Sequence, residues 1–167
     1  AIELAEQGGY EAVRLRDIAT RANVALGTVY KRFRSKEEIL VAALELELKR
    51  LEETFGKIAM MGDTPRDRAW FFFGLLTQGL VHKPNLARAV LRATASGEPE
   101  LAEKVLRFHH RITDMVARAL RGVGDPPALG QGDLQRVAFL LQQIWFASVV
   151  AWMGGLYELD WVLSQVR

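Results

Sequence analysis

Residues 8–40 read GGYEAVRLRDIATRANVALGTVYKRFRSKEEIL, and the spacing of their apolar residues decides the fold class. Leu15, Ile18, Ala19 and Ala22 share one helical face and predict a short helix from Leu15 to Ala22. Asn23-Val24-Ala25 is a turn, since Asn is among the few non-glycine residues that tolerate a left-handed backbone. Leu26 to Phe33 is a second short helix. Ile18, Ala19, Ala22, Val24, Val29 and Phe33 supply a buried set and leave Thr28, Tyr30, Lys31 and Arg32 outside. All four carry donors suited to phosphates or base edges. Two short helices across a tight turn, the second with a polar outer face, form a helix-turn-helix. Ser35 and Glu38 then make a capping box: the Ser35 hydroxyl accepts from the Glu38 amide while Glu38 reaches back. It opens a helix with apolar residues at 39, 40, 43, 44, 48 and 51.

Charge is concentrated in the same stretch. The chain has a net charge of +2. Residues 14–36 carry Arg14, Arg16, Arg21, Lys31, Arg32, Arg34 and Lys36 against Asp17 alone, whereas residues 1–13 hold acids and no base. A local excess of this kind is the footprint of a polyanion partner. The 167 residues suffice for a small domain joined to a larger one, and half of them are apolar, enough to fold. There is no cysteine, which excludes disulfides and thiolate metal sites and suits a reducing compartment. The first residues carry acids where a signal peptide has bases, so the expected location is cytoplasmic.

The remaining pattern is helical almost throughout. A first helix covers residues 1–7 and stops at Gly8-Gly9. The helix from Ser35 runs to about residue 60. Thr64 and Pro65 read as N-cap and N1 of the next, which ends near His82. A short helix follows to Ser96, and an amphipathic one from Glu98-Pro99 to Arg121. A loop rich in Gly and Pro spans 122–132. Asp133 to Met153 is the most apolar helix, Gly154-Gly155 ends it, and a last helix fills the remainder.

The quoted segment resembles the DNA-binding segment of the TetR family of regulators over residues 8–40. The resemblance implies an all-α fold of about nine helices. Residues 1–45 would be a three-helix helix-turn-helix DNA-binding domain (motif 15–34), and residues 46–167 a helical ligand-binding and dimerisation domain. It further implies a ligand-responsive transcriptional regulator, with repressor as the family default, released from double-stranded operator DNA by a small hydrophobic effector. Tyr30 and Lys36 would hold phosphates, Leu26, Gly27, Thr28 and Lys31 would face the groove, and Arg16 would flank the backbone. Ala25 departs from the family pattern, which has Ser there, so the second helix lacks its side-chain cap, a loss of about 1 kcal/mol. KPNLARAVLRA (83–93) and IWFASVVAWMGG (144–155) more faintly resemble an actinobacterial subgroup that represses steroid and lipid catabolism.

Val137 to Tyr157 carries no charge over 21 residues, a length that would permit a membrane span. Gln142, Gln143 and Ser148 interrupt it, and a helix buried on two sides has the same composition. Ala147, Ala151 and Gly155 form a small-residue stripe, with Trp152 beside it. In the resembled family the last two helices pair with their twins, so this run is expected to form a homodimer interface rather than a membrane anchor. Trp70-Phe71-Phe72-Phe73 cannot all face one way on a helix. Taken singly, each aromatic reads as core packing; as a set, Trp70, Phe73, Leu76 and Val90 with Phe108, Ile112, Trp145 and Phe146 could wall an apolar pocket, helped by Phe55, Met60 and Met61. An acyl or steroid derivative fits such a wall.

His109 and His110 point about 100° apart on a helix and cannot chelate one ion together. With His82 they are assigned no metal, and no cofactor is expected. Ser148 and Ser164 lack a catalytic context, and no phosphate loop or carboxylate pair is present. The alternative to a regulator is a helical ligand-binding protein or enzyme whose N-terminal segment is structural.

Overall fold

The computed structural model describes residues 1–58, 62–122 and 130–166. Among them are nine helices and no strand: α1 (Ile2–Ala12), α2 (Leu15–Arg21), α3 (Leu26–Arg32), α4 (Lys36–Ile58), α5 (Pro65–His82), α6 (Pro84–Thr94), α7 (Pro99–Arg121), α8 (Gln131–Met153) and α9 (Leu159–Ser164). The chain divides into two compact units. One comprises Ala1–Arg50 with Leu80–Leu106, the other Leu51–Gly79 with Arg107–Arg167. The last two residues of the expected 35–60 helix, which include Met60, together with Met61 and most of the 122–132 loop, lie outside the described residues.

In the first unit, α1 breaks at Gly8-Gly9, where the sequence places its stop. Gly8 and Gly9 leave helical geometry, Gly9 at φ 65°, but the helix resumes to Ala12. The kink delivers Val13, fully buried, into a core of Leu4, Ala5, Leu40, Leu86, Ala89, Val90 and Ala93. That core is why α6 belongs with the helix-turn-helix. The apolar face of α6 lies against α1 and α4, and Asn85 Nδ2 donates to the Glu6 carbonyl at 2.9 Å.

The turn between α2 and α3 follows from local chemistry. Asn23 is the only non-glycine with positive φ (52°) among the described residues. Val24 N donates to Ala19 O at 3.0 Å and Asn23 N to Thr20 O at 3.2 Å, the bond pair that closes a Schellman motif. Ala19, Val29 and Ile39 form the small core beneath, with Leu15, Ile18, Leu26 and Phe33 half-buried against it. Ala22 and Val24, expected inside, are exposed, because both sit at the reversal itself. At the start of α4, Glu38 N donates to Ser35 Oγ at 3.1 Å, as the capping box requires. The reciprocal arm differs: Glu38 Oε2 accepts from Arg34 N at 2.8 Å, one residue before the cap.

The second unit is built on rings. Phe55 meets Phe72 edge-on at 5.0 Å, Phe72 meets Phe73 at 5.6 Å, and Phe73 lies 5.8 Å from Trp145. The Trp145 indole donates to Thr77 Oγ1 at 3.0 Å, and Thr77 in turn donates to the Phe73 carbonyl at 2.7 Å, so both buried polar groups are satisfied. Thr64 caps α5, accepting from Asp67 N at 3.2 Å, with Pro65 at N1. Arg68 reaches from α5 to the end of α7, donating to Ala119 O at 2.8 Å and Leu120 O at 3.2 Å. Gly122 follows α7 with φ 70°, where a Cβ would lie 2.8 Å from that guanidinium.

Candidate nucleic-acid interface

Helix α3 is anchored by one side. Val29 is buried and Leu26 half-buried, while Gly27, Thr28, Tyr30, Lys31 and Arg32 are exposed, Tyr30 at 58%. Its N-cap is Ala25, with no side-chain cap bond, so the departure noted in the sequence leaves the first amides of α3 without a side-chain acceptor. Arg16 on α2 is exposed as well. Among the described residues Arg16, Lys31 and Arg32 make no ion pair, whereas Arg21 is drawn to α1 by Glu3 (3.2 Å) and Gln7 (2.5 Å). The face thus presents free cations and hydroxyls on a rigid support, which is the chemistry of phosphate and base-edge contact.

Lys36 stands apart from these. Its ammonium lies 3.7 Å from the centroid of the Tyr10 ring and 3.5 Å from Glu11 Oε2. Arg92 of α6 sits on the same ring at 4.0 Å and pairs with Glu11 Oε1 at 2.9 Å. The Tyr10 hydroxyl donates to the Glu37 carboxylate. Glu38 is bonded to Lys104 at 2.7 Å, and that bond, with the Arg34 amide next, holds its carboxyl below the usual range. Sequence reading found Lys36 but missed Tyr10, Glu11 and Arg92 around it. The aromatic-acid pair after Gly8-Gly9 was visible, but nothing in the spacing announces a partner 81 residues away.

Of the residues expected to wall an effector pocket, all but Val90 lie in the second unit. Phe73, Ile112 and Trp145 are buried in the second unit, Leu76 is half-buried there, and Trp70 is 42% exposed. Phe108 and Phe146 flank His109, at 5.5 and 5.2 Å between ring centres. Val90 belongs to the first unit, in the core between α1 and α6. Periodicity identifies a buried face without saying what it faces, and here α1 occupies it.

A buried polar cluster accompanies the rings: Gln142, 1% exposed, donates to His109 Nδ1 at 2.6 Å and accepts from Thr113 at 3.3 Å. Burial, and then the charge of His110, lower the His109 pKa. A cleft of about 550 Å³ lies between α7 and α8, with Asp114, Arg118, Arg121 and Gln135 on its walls; it contains none of the expected lining residues.

Helix α8 presents an apolar outer face of Phe139, Leu140, Ile144 and Val150, all more than 40% exposed, with Ala147 exposed among them. Ala151 and Trp152 are half-buried. Gly155 lies beyond the helix end: with φ 76° and the bonds Gly155 N to Trp152 O and Leu156 N to Ala151 O, it is the left-handed residue that terminates α8. By length and composition alone α8 could cross a membrane, at mean hydropathy 1.3. The described residues hold no group of three or more candidate metal ligands.

Residues 1–43 match the family model for bacterial regulatory proteins of the tetR family, and residues 62–167 match that for the tetracyclin repressor-like C-terminal domain. The chain is 35% identical over 150 residues to the HTH-type transcriptional repressor KstR of Mycobacterium tuberculosis, covering 90% of this chain and 66% of that protein. It is 34% identical to KstR of Mycolicibacterium smegmatis, covering 91% of this chain and 72% of that one. KstR of Rhodococcus jostii is 33% identical, with 91% and 68% covered. The fold matches the crystal structure of a TetR transcriptional regulator from Rhodococcus sp. RHA1 at a TM-score of 0.83 and 23% identity, over 99% of this chain and 86% of that one. Family models over both halves and repressors alike along nine-tenths of the chain agree with the exposed cationic face of α3: the chain belongs to the tetR family of bacterial regulatory proteins.

Proposed function

We propose that this chain is a ligand-responsive transcriptional repressor that binds double-stranded operator DNA through α3 and releases it when a small hydrophobic effector binds. The observation that carries this reading is the outer face of α3, where Tyr30, Lys31 and Arg32 are exposed beside an unpaired Arg16 over the Ala19–Val29–Ile39 core. Leu26, Gly27 and Thr28 would enter the groove, and Tyr30 and Lys36 would hold phosphates. Residues 1–45 carry this DNA-binding role, and 46–167 sense and dimerise, in the cytoplasm.

One seven-residue recognition helix reads a single half-site. A two-fold pair would place two such helices in successive major grooves, roughly 34 Å apart. The exposed apolar face of α8, with Ala147, Ala151 and Trp152 along it, supports self-association over membrane insertion, since a second copy would cover it. For the effector, an acyl or steroid derivative suits the rings of Phe73, Trp145, Phe108 and Phe146. The likeness of residues 83–93 and 144–155 to regulators of steroid and lipid catabolism points the same way.

Fluorescence anisotropy with duplex DNA over a range of salt tests the reading. Affinity should fall as salt rises, and Lys31→Ala should weaken binding and lower the salt slope by about 1. Acyl and steroid compounds, free and as CoA esters, are then titrated against the complex, and one class should restore free DNA. Salt-independent binding, or no change in Lys31→Ala, would sink the assignment to α3.

A further inference from the structure

We propose that Arg92, on α6, is a positioning residue for the Lys36 phosphate contact: it draws the Glu11 carboxylate away from Lys36 and so sets how available that ammonium is to DNA. The inference rests on the reading of Lys36 as a phosphate donor and adds the group that regulates it.

The geometry carries it. One carboxylate bridges two cations, with Glu11 Oε1 2.9 Å from Arg92 and Oε2 3.5 Å from Lys36. The guanidinium contact is the shorter and has hydrogen-bond length; the ammonium contact is at the limit of one. Both cations also share the Tyr10 ring, at 4.0 and 3.7 Å. A cation is attracted to the face of an aromatic ring, so Tyr10 holds the two together despite their repulsion. Glu37 accepts from the Tyr10 hydroxyl and fixes the ring's far end. Lys36 is therefore tethered but only weakly paired, and a DNA phosphate competes with a carboxylate already committed elsewhere.

The consequence follows from charge. Without Arg92, Glu11 turns its full charge on Lys36 and on any phosphate beside it. Both effects weaken DNA binding. The arrangement also makes the contact depend on where α6 stands. Arg92 is on the last turn of α6, three residues from Ala95, and the chain continues through Glu98 into α7, a helix that runs from the first unit into the second. A displacement of α6 by one residue's rise, about 1.5 Å, would take the guanidinium out of hydrogen-bond range of Glu11. The DNA contact would then weaken with no change in α3.

The test is a double-mutant cycle on a mixed-sequence 40-base-pair duplex, read by anisotropy at fixed salt and then along a salt titration. Arg92→Ala should weaken binding about two- to fivefold, the size of an exposed ion pair, and Glu11→Gln should tighten it by a similar factor. In the Glu11→Gln background the Arg92→Ala loss should disappear, and Arg92→Lys should restore most of the wild-type affinity. The salt slope should stay unchanged in Arg92→Ala, because Arg92 itself touches no phosphate. A loss that persists in Glu11→Gln, with a slope lowered by about 1, would make Arg92 a direct phosphate contact and overturn the proposal. So would an Arg92→Ala protein that binds like wild type. Both side chains are exposed, and thermal unfolding of each variant separates a folding defect from a binding one. Salt-sensitive binding by the wild type with no coupling in the cycle removes this inference alone; loss of salt-sensitive binding in the wild type removes the regulator reading and this with it.

Discussion

The two units hold their side chains by different means. In the first, the recognition helix rests on a core of three small or medium residues, Ala19, Val29 and Ile39, and its angle is set by a left-handed Asn23 and a capped α4. In the second, Phe72, Phe73, Ile112 and Met115 are almost fully buried, and the order comes from bulk packing. A small core cannot tolerate much conformational slack, so local turn chemistry substitutes for area. The second unit has its caps as well, at Thr64 and Arg68, but most of its order comes from buried area. That division suits the proposed roles, a DNA face held fixed on the first unit and a ligand response in the second.

The comparison breaks first at the rings. Phe73→Ala removes a fully buried ring packed between Phe72 and Trp145, and should cost about 3–5 kcal/mol. Urea unfolding followed by tryptophan fluorescence reads the change, because Trp145 lies against the deleted ring. A cost below about 1 kcal/mol would mean that the second unit is loosely packed there. Next comes Gly122→Ala, which forces a left-handed alanine and drives a methyl group into the Arg68 guanidinium that caps α7. The backbone strain alone is roughly 1–2 kcal/mol. Restoring stability by the further change Arg68→Ala would locate the cost in the clash; no restoration would locate it in the backbone.

A smaller effect of opposite sign belongs to the first unit. Ala25→Ser returns a side-chain acceptor to the N-terminus of α3 and should stabilise the protein by about 1 kcal/mol. Thermal unfolding checks this, and an unchanged or lowered melting temperature would show that the backbone at residue 25 cannot seat the hydroxyl.

What could be read from the chain divides along the same line. Asn23, Ser35 with Glu38, and Thr64 with Pro65 were legible because each solves a local problem with its own side chain, and the structure uses them at those positions. Gly8-Gly9 was legible as a break for the same reason, and both residues leave helical geometry. The local signal for a break was correct, but the pull of Val13 and Tyr10 into packing beyond it restarts the helix, and that pull is tertiary. Val90 reads as buried, as it is, but amphipathic periodicity does not name its neighbours on α1. Arg92 had no signal at all. Its role exists only because α1 and α6 meet, and two charges far apart in the chain say nothing of that.

The last and smallest effect distinguishes the units by pH. Glu38 in the first unit and His109 in the second both have lowered pKa values, for different reasons. Glu38 is held down by its bond to Lys104, and its contribution is present above the ordinary carboxylate value of 4.5 and lost as pH falls through the lower folded value. His109 is held down by burial. Below its ordinary value of 6.5 the unfolded chain takes up a proton that the folded chain refuses, so stability is lost as pH falls from there toward the folded value. Between pH 7 and 5 the second unit should therefore soften while the Glu38 bond is intact. Urea midpoints measured over that window should fall in the wild type and fall less in His109→Gln. An equal fall in both would exclude His109 as the group responsible and leave the buried Gln142 pair as packing alone.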